Sequence, residues 1–379
     1  MKQVIHITEE YSPEQYGLTS VINQLTNYLA EQRFPTTVLS AGPVICTKIE
    51  GVTYKDFSLP LGCQTWRYPA GMKKYLENML NYPGNLLHLH GVWKAPQWLA
   101  SRVASRYRSP VILTPHNMLA SWLWSNGKCR WLKKSIYWQL LAYPTFRHLS
   151  MIHAFTTQEY HHLSRLFPEQ PIVVIPNAID VEKVEHYLTE SEKDDPLPID
   201  FPYLLFVGRL HPVKGVDILI KAFARCSKHQ NFKLLIVGPD STPAYTADLK
   251  SLVQNLNMEE KVIFYGPSYG NKKYQLFRKA WACCAPSHTE VIGQVNLECA
   301  SAGIPVITTY ETGLDDWEKN GGILIHPNVE ELAKALEQVF SWSESERNGR
   351  GNSLRQLVRQ RYCWEVVGPQ WIELYSSLL

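Results

Sequence analysis

Residues Ala282–Thr308, ACCAPSHTEVIGQVNLECASAGIPVIT, contain the pattern that decides the fold class. The apolar run Ala282–Ala285 predicts a buried strand, and Val306–Thr308 predicts a second one. Between them, a helical pattern begins near Gly293 and ends at Gly303. A strand, a helix and another strand joined by short loops are typical of the βαβ unit of a parallel sheet.

The same alternation continues along most of the chain. Further strands are predicted at Lys2–Ile7, Thr37–Ser40, Leu86–Leu89, Val111–Thr114, Met151–Thr156, Ile172–Ile175, Tyr203–Val207, Lys233–Val237 and Val262–Tyr265. The polar, acidic stretch His186–Asp200 predicts a linker between domains. The fold class is therefore predicted to be α/β, with two Rossmann-like, doubly wound parallel-sheet domains that face each other across a cleft. They would span residues 1–185 and 201–360, and residues 361–379 would follow as a helix.

The composition fits a large folded protein. Of the 379 residues, 45% are hydrophobic and 19% are charged, and the net charge is only +3. The eight cysteines are scattered without metal-ligand spacing, which predicts reduced thiols and no metal site. The chain starts with a strand pattern, and no apolar run is long enough to cross a bilayer. We therefore expect a cytoplasmic location and no nucleic-acid partner.

One interval combines positive charge with aromatic residues. Between Glu77 and Glu159 there is no acidic residue, and the interval contains six tryptophans: Trp93, Trp98, Trp122, Trp124, Trp131 and Trp138. The segment Lys128–His148 in particular suits the headgroup layer of an anionic membrane, because lysine, arginine and tryptophan all favour it. The alternative is that the tryptophans pack in the core and that the charges form an ordinary solvated face.

The segment FVGRLHPVKGVD, Phe206–Asp217, carries two cations in a glycine-bounded loop. A predicted strand ends just before Arg209, and Lys214 comes just before a predicted helix. An arginine fork and a lysine point charge suit a diphosphate group. A surface arginine and lysine beside a loop would give the same pattern.

Two carboxylates, Glu290 and Glu298, stand in an otherwise nearly uncharged stretch with seven residues between them. The predicted helix between them would direct its first N–H groups, at Gly293, Gln294 and Val295, towards an anion. Glu298 would lie on the same helix, where a half-buried carboxylate needs hydrogen-bond partners such as ribose hydroxyls. Alternatively, one glutamate complements the helix dipole and the other is a solvated loop residue.

Two weaker signals occur in the first predicted domain. His116, in LTPHNM, follows a strand and could hydrogen-bond a sugar hydroxyl, although a lone histidine more often has a structural role. Gly17, just before a helical pattern, could present backbone amides to a phosphate.

Taken together, these motifs resemble the retaining glycosyltransferases of the GT-B fold, specifically glycosyltransferase family 4. EVIGQVNLE, residues 290–298, is similar to the family's signature of two glutamates, and Arg209, Lys214 and TPHN match it in order and spacing. The resemblance implies two Rossmann-like domains, a nucleotide-sugar held mostly by the second, and a C-terminal helix that crosses back onto the first. This sequence departs from the family at Tyr16, where a second glycine is common, and at Gln294, where an aromatic residue is customary.

The resemblance also assigns roles to the site residues. Glu298 would bind the nucleotide ribose, Glu290 the hydroxyls of the donated sugar, and the loop Tyr265–Tyr269 would lie near the base. The remaining positions would act on the diphosphate or beside the donor sugar; they are Arg209, Lys214, Gly293, Gln294, Val295 and Gly17 for the diphosphate, and His116 for the sugar.

The function implied is transfer of a hexose, favoured to come from a UDP-hexose, to a saccharide acceptor with retained configuration and without a cofactor. The two cations and the helix amides would stabilise the leaving diphosphate in place of a metal. The acceptor is predicted to be a lipid-linked saccharide of polysaccharide biosynthesis, reached from the inner face of the cytoplasmic membrane. Two alternatives stay open: a phosphorylase or epimerase on the same architecture, and a non-catalytic sugar-nucleotide binder.

Overall fold

The computed structural model describes residues 2–12, 16–62, 64–120, 128–194, 197, 199–226 and 231–379, with the backbone alone at residues 16, 128–131 and 133. The chain forms two compact units. The first contains Met1–Ala178 together with Trp364–Leu379, and the second contains Ile179–Cys363.

The first unit is built on a parallel sheet of seven strands in the order β3-β2-β1-β4-β5-β6-β7. The strands are β1 Gln3–Thr8, β2 Thr36–Ala41, β3 Val52–Phe57, β4 Asn85–His90, β5 Val111–Thr114, β6 Met151–Ala154 and β7 Ile172–Val174. The helices between them are α1 Tyr16–Glu31, α2 Met72–Leu80, α3 Ala95–Tyr107, α4 Lys128–Tyr137, α5 Tyr143–Phe146 and α6 Thr157–Leu166. A π-helical segment, Trp138–Ala142, joins α4 to α5. Because β1, β2 and β4 are almost wholly buried, both faces of the sheet carry apolar side chains.

The second unit contains a parallel sheet of six strands in the order β10-β9-β8-β11-β12-β13. The strands are β8 Tyr203–Val207, β9 Lys233–Val237, β10 Val262–Gly266, β11 Ala280–Ala285, β12 Val306–Thr309 and β13 Ile323–Ile325. The helices are α7 Val181–Glu190, α8 Val216–Arg225, α9 Pro243–Asn255, α10 Gly270–Lys279, α11 Gln294–Ser301, α12 Val329–Ser341 and α13 Glu344–Arg361. The order reverses between β8 and β11, and open α/β sheets bind ligands at the carboxyl ends of the strands beside such a switch point.

The last helix, α14 (Trp364–Leu378), packs within the first unit although the chain enters it from the second. Its buried residues Trp371 and Tyr375 join a core cluster that includes Val4 on β1 and Ile112 on β5. The helix therefore covers one face of the first sheet.

The predicted strands are present, with ends that agree with the prediction or differ from it by at most two residues. The predicted linker His186–Asp200 is wrong for its first residues, which form the second half of α7. Tertiary contacts order this polar helix: the Tyr187 ring stacks on Tyr274 at 4.9 Å, and Gln275 Nε2 donates to the carbonyl of Ser191 at 3.3 Å. The second unit thus begins at Ile179, before the predicted boundary.

Six cysteines among the described residues have free thiols, and five of them are buried in the second unit. Within the described ranges, no helix combines the length and the low polarity needed to cross a lipid bilayer.

Candidate functional site

Two loops meet at the carboxyl ends of β8 and β11 in the second unit. The amide of His288 donates to the carbonyl of Val213 at 2.8 Å, which ties the loop after β11 to the loop after β8. Gly215 has φ +64°, and a Cβ built there would lie 2.2 Å from the carbonyl oxygen of Pro286. Only glycine fits this close approach. The contact places Lys214 directly beside Glu290.

Lys214 Nζ and Glu290 Oε2 form an ion pair, with about a quarter of each side chain exposed: 23% for the lysine and 25% for the glutamate. Arg209 is half-buried in the same loop. Burial, and then the charges of Arg209 and Lys214, lower the pKa of His211, so both cations act on this region. The structure therefore brings together Arg209, Lys214 and Glu290, which the sequence analysis selected from segments far apart in the chain.

The turn before α11 is backbone-strained. Gly293 has φ +75°, and a Cβ there would meet Asn296 Nδ2 at 2.8 Å and Glu290 Cγ at 3.1 Å. The preceding Ile292 has φ +61°, which is unusual for a β-branched residue. Asn296 Nδ2 supports the turn by donating to the Ile292 carbonyl at 2.7 Å and to Thr308 Oγ1 at 3.1 Å. Strain of this kind is concentrated at functional sites.

The N-terminus of α11 differs from the prediction at one residue. The amide of Gly293 donates to the carbonyl of Val291 at 2.6 Å, so the expectation that this amide is free for an anion is wrong. Its role is conformational instead, because the tight turn consumes the donor. Gln294 and Val295 are the first two residues of α11, whose eight residues make a regular helix. Amides at these positions point out of a helix N-terminus.

Glu298, on α11, forms an ion pair with Lys273 of α10 at 2.8 Å. About a fifth of each side chain is exposed, 18% for Lys273 and 20% for Glu298. Lys273 Nζ also lies 5.1 Å from the ring centre of Tyr274. Lys273 was not predicted as a site residue, because no local sequence pattern links α10 to α11. Near it, Tyr265 and Tyr269 in the loop predicted to lie by the base are 37% and 64% exposed.

The first unit contains the other two predicted site residues. His116 follows β5 and has φ +52°, a left-handed conformation that is uncommon outside glycine. Its Nε2 is hydrogen-bonded to His90 Nδ1 at 2.9 Å, and burial lowers its pKa to about 3. Gly17 is the second residue of α1, is exposed, and has open space where a side chain would project.

A group of buried histidines, not predicted from the sequence, surrounds His116. His6, His88, His90 and His153 have at most 1% of their surface exposed, and with His116 they form what we call the histidine cluster. The signal that could have found it is the His-x-His spacing of His88 and His90, because alternate residues of a strand share one face.

The tryptophan-rich interval agrees with the core alternative where it is described. Trp138 is buried, and Trp93 and Trp98 pack against the core of the first unit. Trp122 and Trp124 lie outside the described residues, as does the side chain of Trp131. Among the described residues between 128 and 148, the large apolar side chains that are exposed are aliphatic: Leu132, Ile136, Leu140 and Leu141.

Comparison with known proteins agrees with this arrangement. A family model described as Glycosyltransferase Family 4 matches residues 16–183, and one described as Glycosyl transferases group 1 matches residues 189–354. The chain belongs to the family 4, group 1 glycosyltransferases. The two matches cover most of both units, and the two parallel sheets give this family 4 chain the two-domain GT-B fold.

Individual curated relatives are similar to this chain over only part of its length. An uncharacterized glycosyltransferase of Methanocaldococcus jannaschii is 30% identical over 218 residues, 55% of each chain. D-inositol 3-phosphate glycosyltransferase of Acidothermus cellulolyticus is 37% identical over 138 residues, 34% of this chain and 31% of that one. The family 4 chain therefore spans about half or less of the length of these curated relatives.

Among solved structures, HepE of Anabaena in complex with UDP and glucose superposes with a TM-score of 0.76. The superposition covers 100% of both chains at 16% sequence identity. At this identity, the likeness shows the fold alone.

Proposed function

We propose that this protein transfers a hexose from a nucleoside diphosphate sugar to an acceptor hydroxyl with retained configuration. One observation carries the proposal: Lys214, the loop of Arg209, the N-terminus of α11 and two carboxylates are gathered at the carboxyl ends of β8 and β11. A diphosphate flanked by two sugars needs cations and amides at its centre and hydroxyl acceptors on either side.

The donor would be bound mainly by the second unit. Arg209 and Lys214 would neutralise the diphosphate with help from the amides of Gln294 and Val295. Glu298 would accept hydrogen bonds from the ribose hydroxyls, and Glu290 from those of the transferred sugar. Because Glu290 holds Lys214 in this structure, donor binding would exchange partners: the lysine would move to the phosphate and the carboxylate to the sugar.

A UDP-hexose is the proposed donor. The support is the fold shared with HepE of Anabaena, whose structures were solved with UDP and with UDP-glucose. The loop containing Tyr265 and Tyr269 offers exposed aromatic rings on which a base could stack.

The chemistry follows from the charges. As the bond from the sugar's anomeric carbon to the phosphate oxygen breaks, negative charge grows on the diphosphate, where Arg209 and Lys214 stabilise it. The acceptor oxygen forms its bond to the anomeric carbon on the face that the diphosphate leaves. The acceptor's proton passes to the leaving phosphate oxygen, so the products are a glycoside and a nucleoside diphosphate. His116 and Gly17, in the first unit, are proposed to contact the donor sugar and its phosphates.

The proposed acceptor is a lipid-linked saccharide of polysaccharide biosynthesis, reached by peripheral contact with the inner face of the cytoplasmic membrane. The support is an exposed apolar stripe along α4 and the π-helical segment that continues it. Leu132, Ile136 and Leu140 follow one another at intervals of four residues and are 53%, 50% and 71% exposed. The same segment contains four cations and no acidic residue: Lys128, Arg130, Lys133 and Lys134.

Flotation with liposomes that contain anionic lipid tests this contact. The triple variant Leu132→Ser, Ile136→Ser, Leu140→Ser should lose flotation, and so should reversal of the four cations to glutamate. Leu61→Ser is the matched control, because this leucine is 95% exposed elsewhere in the first unit. If the triple serine variant and the charge-reversal variant both float as wild type and the Leu61→Ser control do, the proposed membrane contact is wrong.

The activity itself is tested by incubating the protein with UDP-, GDP- and ADP-sugars and measuring nucleoside diphosphate with and without a saccharide acceptor. Acceptor-dependent release, with the anomeric configuration kept in the product, supports the proposal. Binding without release would identify a sugar-nucleotide binder. Release that requires inorganic phosphate as the acceptor would identify a phosphorylase. Glu290→Gln should reduce turnover at least tenfold, about 1.4 kcal/mol of transition-state stabilisation.

A further inference from the structure

The histidine cluster lies on one face of the first sheet, under α14. His6 on β1 and His88 on β4 are direct partners in the strand register, and His90 is two residues further along the same face. The rings of His88 and His153 lie 5.4 and 4.5 Å from the ring of Trp371 on α14. Four buried imidazoles and a fifth, His116, that is partly buried require an account of where each N–H points, because an unpaired buried donor is costly.

Two of the histidines belong to a chain of hydrogen bonds with a fixed direction. His153 Nε2 lies 2.8 Å from the carbonyl oxygen of Ile175, which can only accept, so this nitrogen carries the hydrogen. His153 Nδ1 must then accept from Thr114 Oγ1, at 3.0 Å. Thr114 in turn accepts from His88 Nε2 at 2.7 Å, and Tyr375 donates to His88 Nδ1 at 2.8 Å. Both rings are therefore Nε2–H tautomers.

The other three histidines form a second chain that no carbonyl directs. His6 Nδ1 lies 2.9 Å from His90 Nε2, and His90 Nδ1 lies 2.9 Å from His116 Nε2. Each contact holds one hydrogen if the rings are neutral, so the three rings must all be Nδ1–H or all be Nε2–H. The tautomer of His6 and that of His116 are thus coupled through His90.

The environment keeps these rings neutral. Burial lowers the pKa of His6 and of His116 to about 3 and that of His90 well below its usual value. Within the described part of the chain, no carboxylate is hydrogen-bonded or ion-paired to any of the three rings.

The two possible directions differ in what they leave unpaired. His6 Nε2 is buried and has no hydrogen-bond partner among the described protein atoms. In the Nε2–H direction this atom would be a buried N–H without an acceptor, whereas in the Nδ1–H direction it is a bare lone pair. Orphaned N–H groups are rarer than orphaned acceptors in folded proteins, which favours the Nδ1–H direction.

We propose that His6 and His90 are positioning residues that hold His116 as the Nδ1–H tautomer, so that its second ring nitrogen is offered to the donor sugar as a hydrogen-bond donor. The use of that donor rests on the proposed function, whereas the tautomer coupling does not. Among the described residues, His116 Nδ1 has no hydrogen-bond partner of its own. The group that acts on the sugar is His116, and the two rings behind it determine which form it takes.

A metal ion is the competing interpretation, since nitrogens of His6, His88 and His90 lie within 4.8 Å of one another. The hydrogen bonds argue against it. Both nitrogens of His88 and both of His90 are already engaged. The rings of His6 and His90 are stacked, with an angle of 18° between their planes, so they do not radiate from a common centre.

The test is side-chain NMR of the full chain labelled with ¹⁵N-histidine, recorded without any donor. Long-range ¹H–¹⁵N correlations report the tautomer of each ring, and single His→Gln variants assign them. We expect Nδ1–H for His6, His90 and His116, and Nε2–H for His88 and His153. Mixed tautomers among the first three, an Nε2–H His116, or a spectrum that changes when a chelator removes a bound metal would overturn the proposal.

A variant pair tests the coupling directly. His90→Phe cuts the second chain, and the His116 resonances should lose the single Nδ1–H form. His153→Gln disturbs an equally buried ring in the other chain and should leave His116 unchanged. We also expect His90→Phe to lower kcat on the order of tenfold, the scale on which outer partners of metal-bound histidines act. If the tautomer pattern holds but His116→Phe turns over as wild type does, the role of His116 in the proposed function fails while the coupling stands.

Discussion

Replacing Lys214 with methionine removes one positive charge from the proposed diphosphate site and keeps a side chain of similar length. The lysine is about three-quarters buried, so its charge acts through a medium less polar than water. At an effective dielectric constant of about 20, a unit charge about 4 Å away interacts by about 4 kcal/mol. The leaving diphosphate gains part of a unit charge in the transition state. We therefore expect a loss of about 1.4–4 kcal/mol, which is roughly a tenfold to thousandfold fall in kcat.

The same substitution should barely affect folding. The Lys214–Glu290 pair is partly exposed, and such pairs contribute about 0–1 kcal/mol. Lys221→Met is the matched control, because Lys221 on α8 also forms an ion pair, with Asp217 at 3.0 Å, and is 45% exposed. It should lose a comparable amount of stability and no activity.

The assay is nucleoside diphosphate release at saturating donor and acceptor, with urea unfolding of each variant measured in parallel. Turnover by Lys214→Met within twofold of wild type would refute the assignment of this lysine to the leaving group. A loss of activity equal to that of Lys221→Met would refute it too, since the effect would then come from the fold.

Three further outcomes are expected. Gly215→Ala should destabilise the second unit by about 1–3 kcal/mol in urea unfolding, because residue 215 has a positive φ and its Cβ would clash with Pro286. Gly349→Ala should not destabilise it, because Gly349 lies in a helix with open space around its Cβ position. Gly17→Ala should fold at least as stably as wild type, because a Cβ at this position would project into open space. It should nevertheless bind the donor more weakly in a thermal-shift titration, because the methyl group would hinder the approach of the donor phosphates to the α1 amides. Because of the histidine cluster, the free energy of unfolding should decrease as the pH is lowered. Burial lowers the pKa values of these rings from 6.5, to about 3 for His6, His116 and His153. Their contribution to stability is therefore full above pH 6.5 and is lost below it by roughly 1.4 kcal/mol per pH unit for each ring. Burial raises the pKa of Glu159 to about 7, so the folded protein binds one more proton at this carboxyl group, which partly offsets the loss of stability. Urea unfolding at pH 5.5 and pH 7.5 measures the net change in the free energy of unfolding.

Most of the framework could be predicted from the sequence because buried parallel strands are continuous apolar runs. Tyr203–Val207 and Lys233–Val237 are found at their predicted ends. The edge strand Val52–Phe57 was missed because its residues are mostly exposed or partly exposed, and Lys55 and Asp56 interrupt any apolar run. The linker prediction was wrong for the same reason. The sequence of α7 is polar, because a few tertiary contacts rather than a wide apolar face hold this helix in place.

The site shows the same division. The closeness of Lys214 and Glu290 was predictable because they follow β8 and β11, and strand ends of a parallel sheet share an edge. Lys273 was not, since its pairing with Glu298 depends on how α10 packs against α11. The amide of Gly293 was assigned wrongly because the hydrogen bond that consumes it, to Val291, arises from a strained turn that no residue pattern announces.

The two ion pairs indicate how the cations of the candidate site are compensated within the fold. Arg209, Lys214 and Lys273 are all half-buried, and burial raises the cost of a charge that has no partner. Glu290 and Glu298 offset it by holding one lysine each. Under the proposed function, the diphosphate takes over this compensation and releases the carboxylates to the sugar hydroxyls. Breaking a partly exposed pair costs only about 0–1 kcal/mol, so the exchange of partners weakens donor binding little.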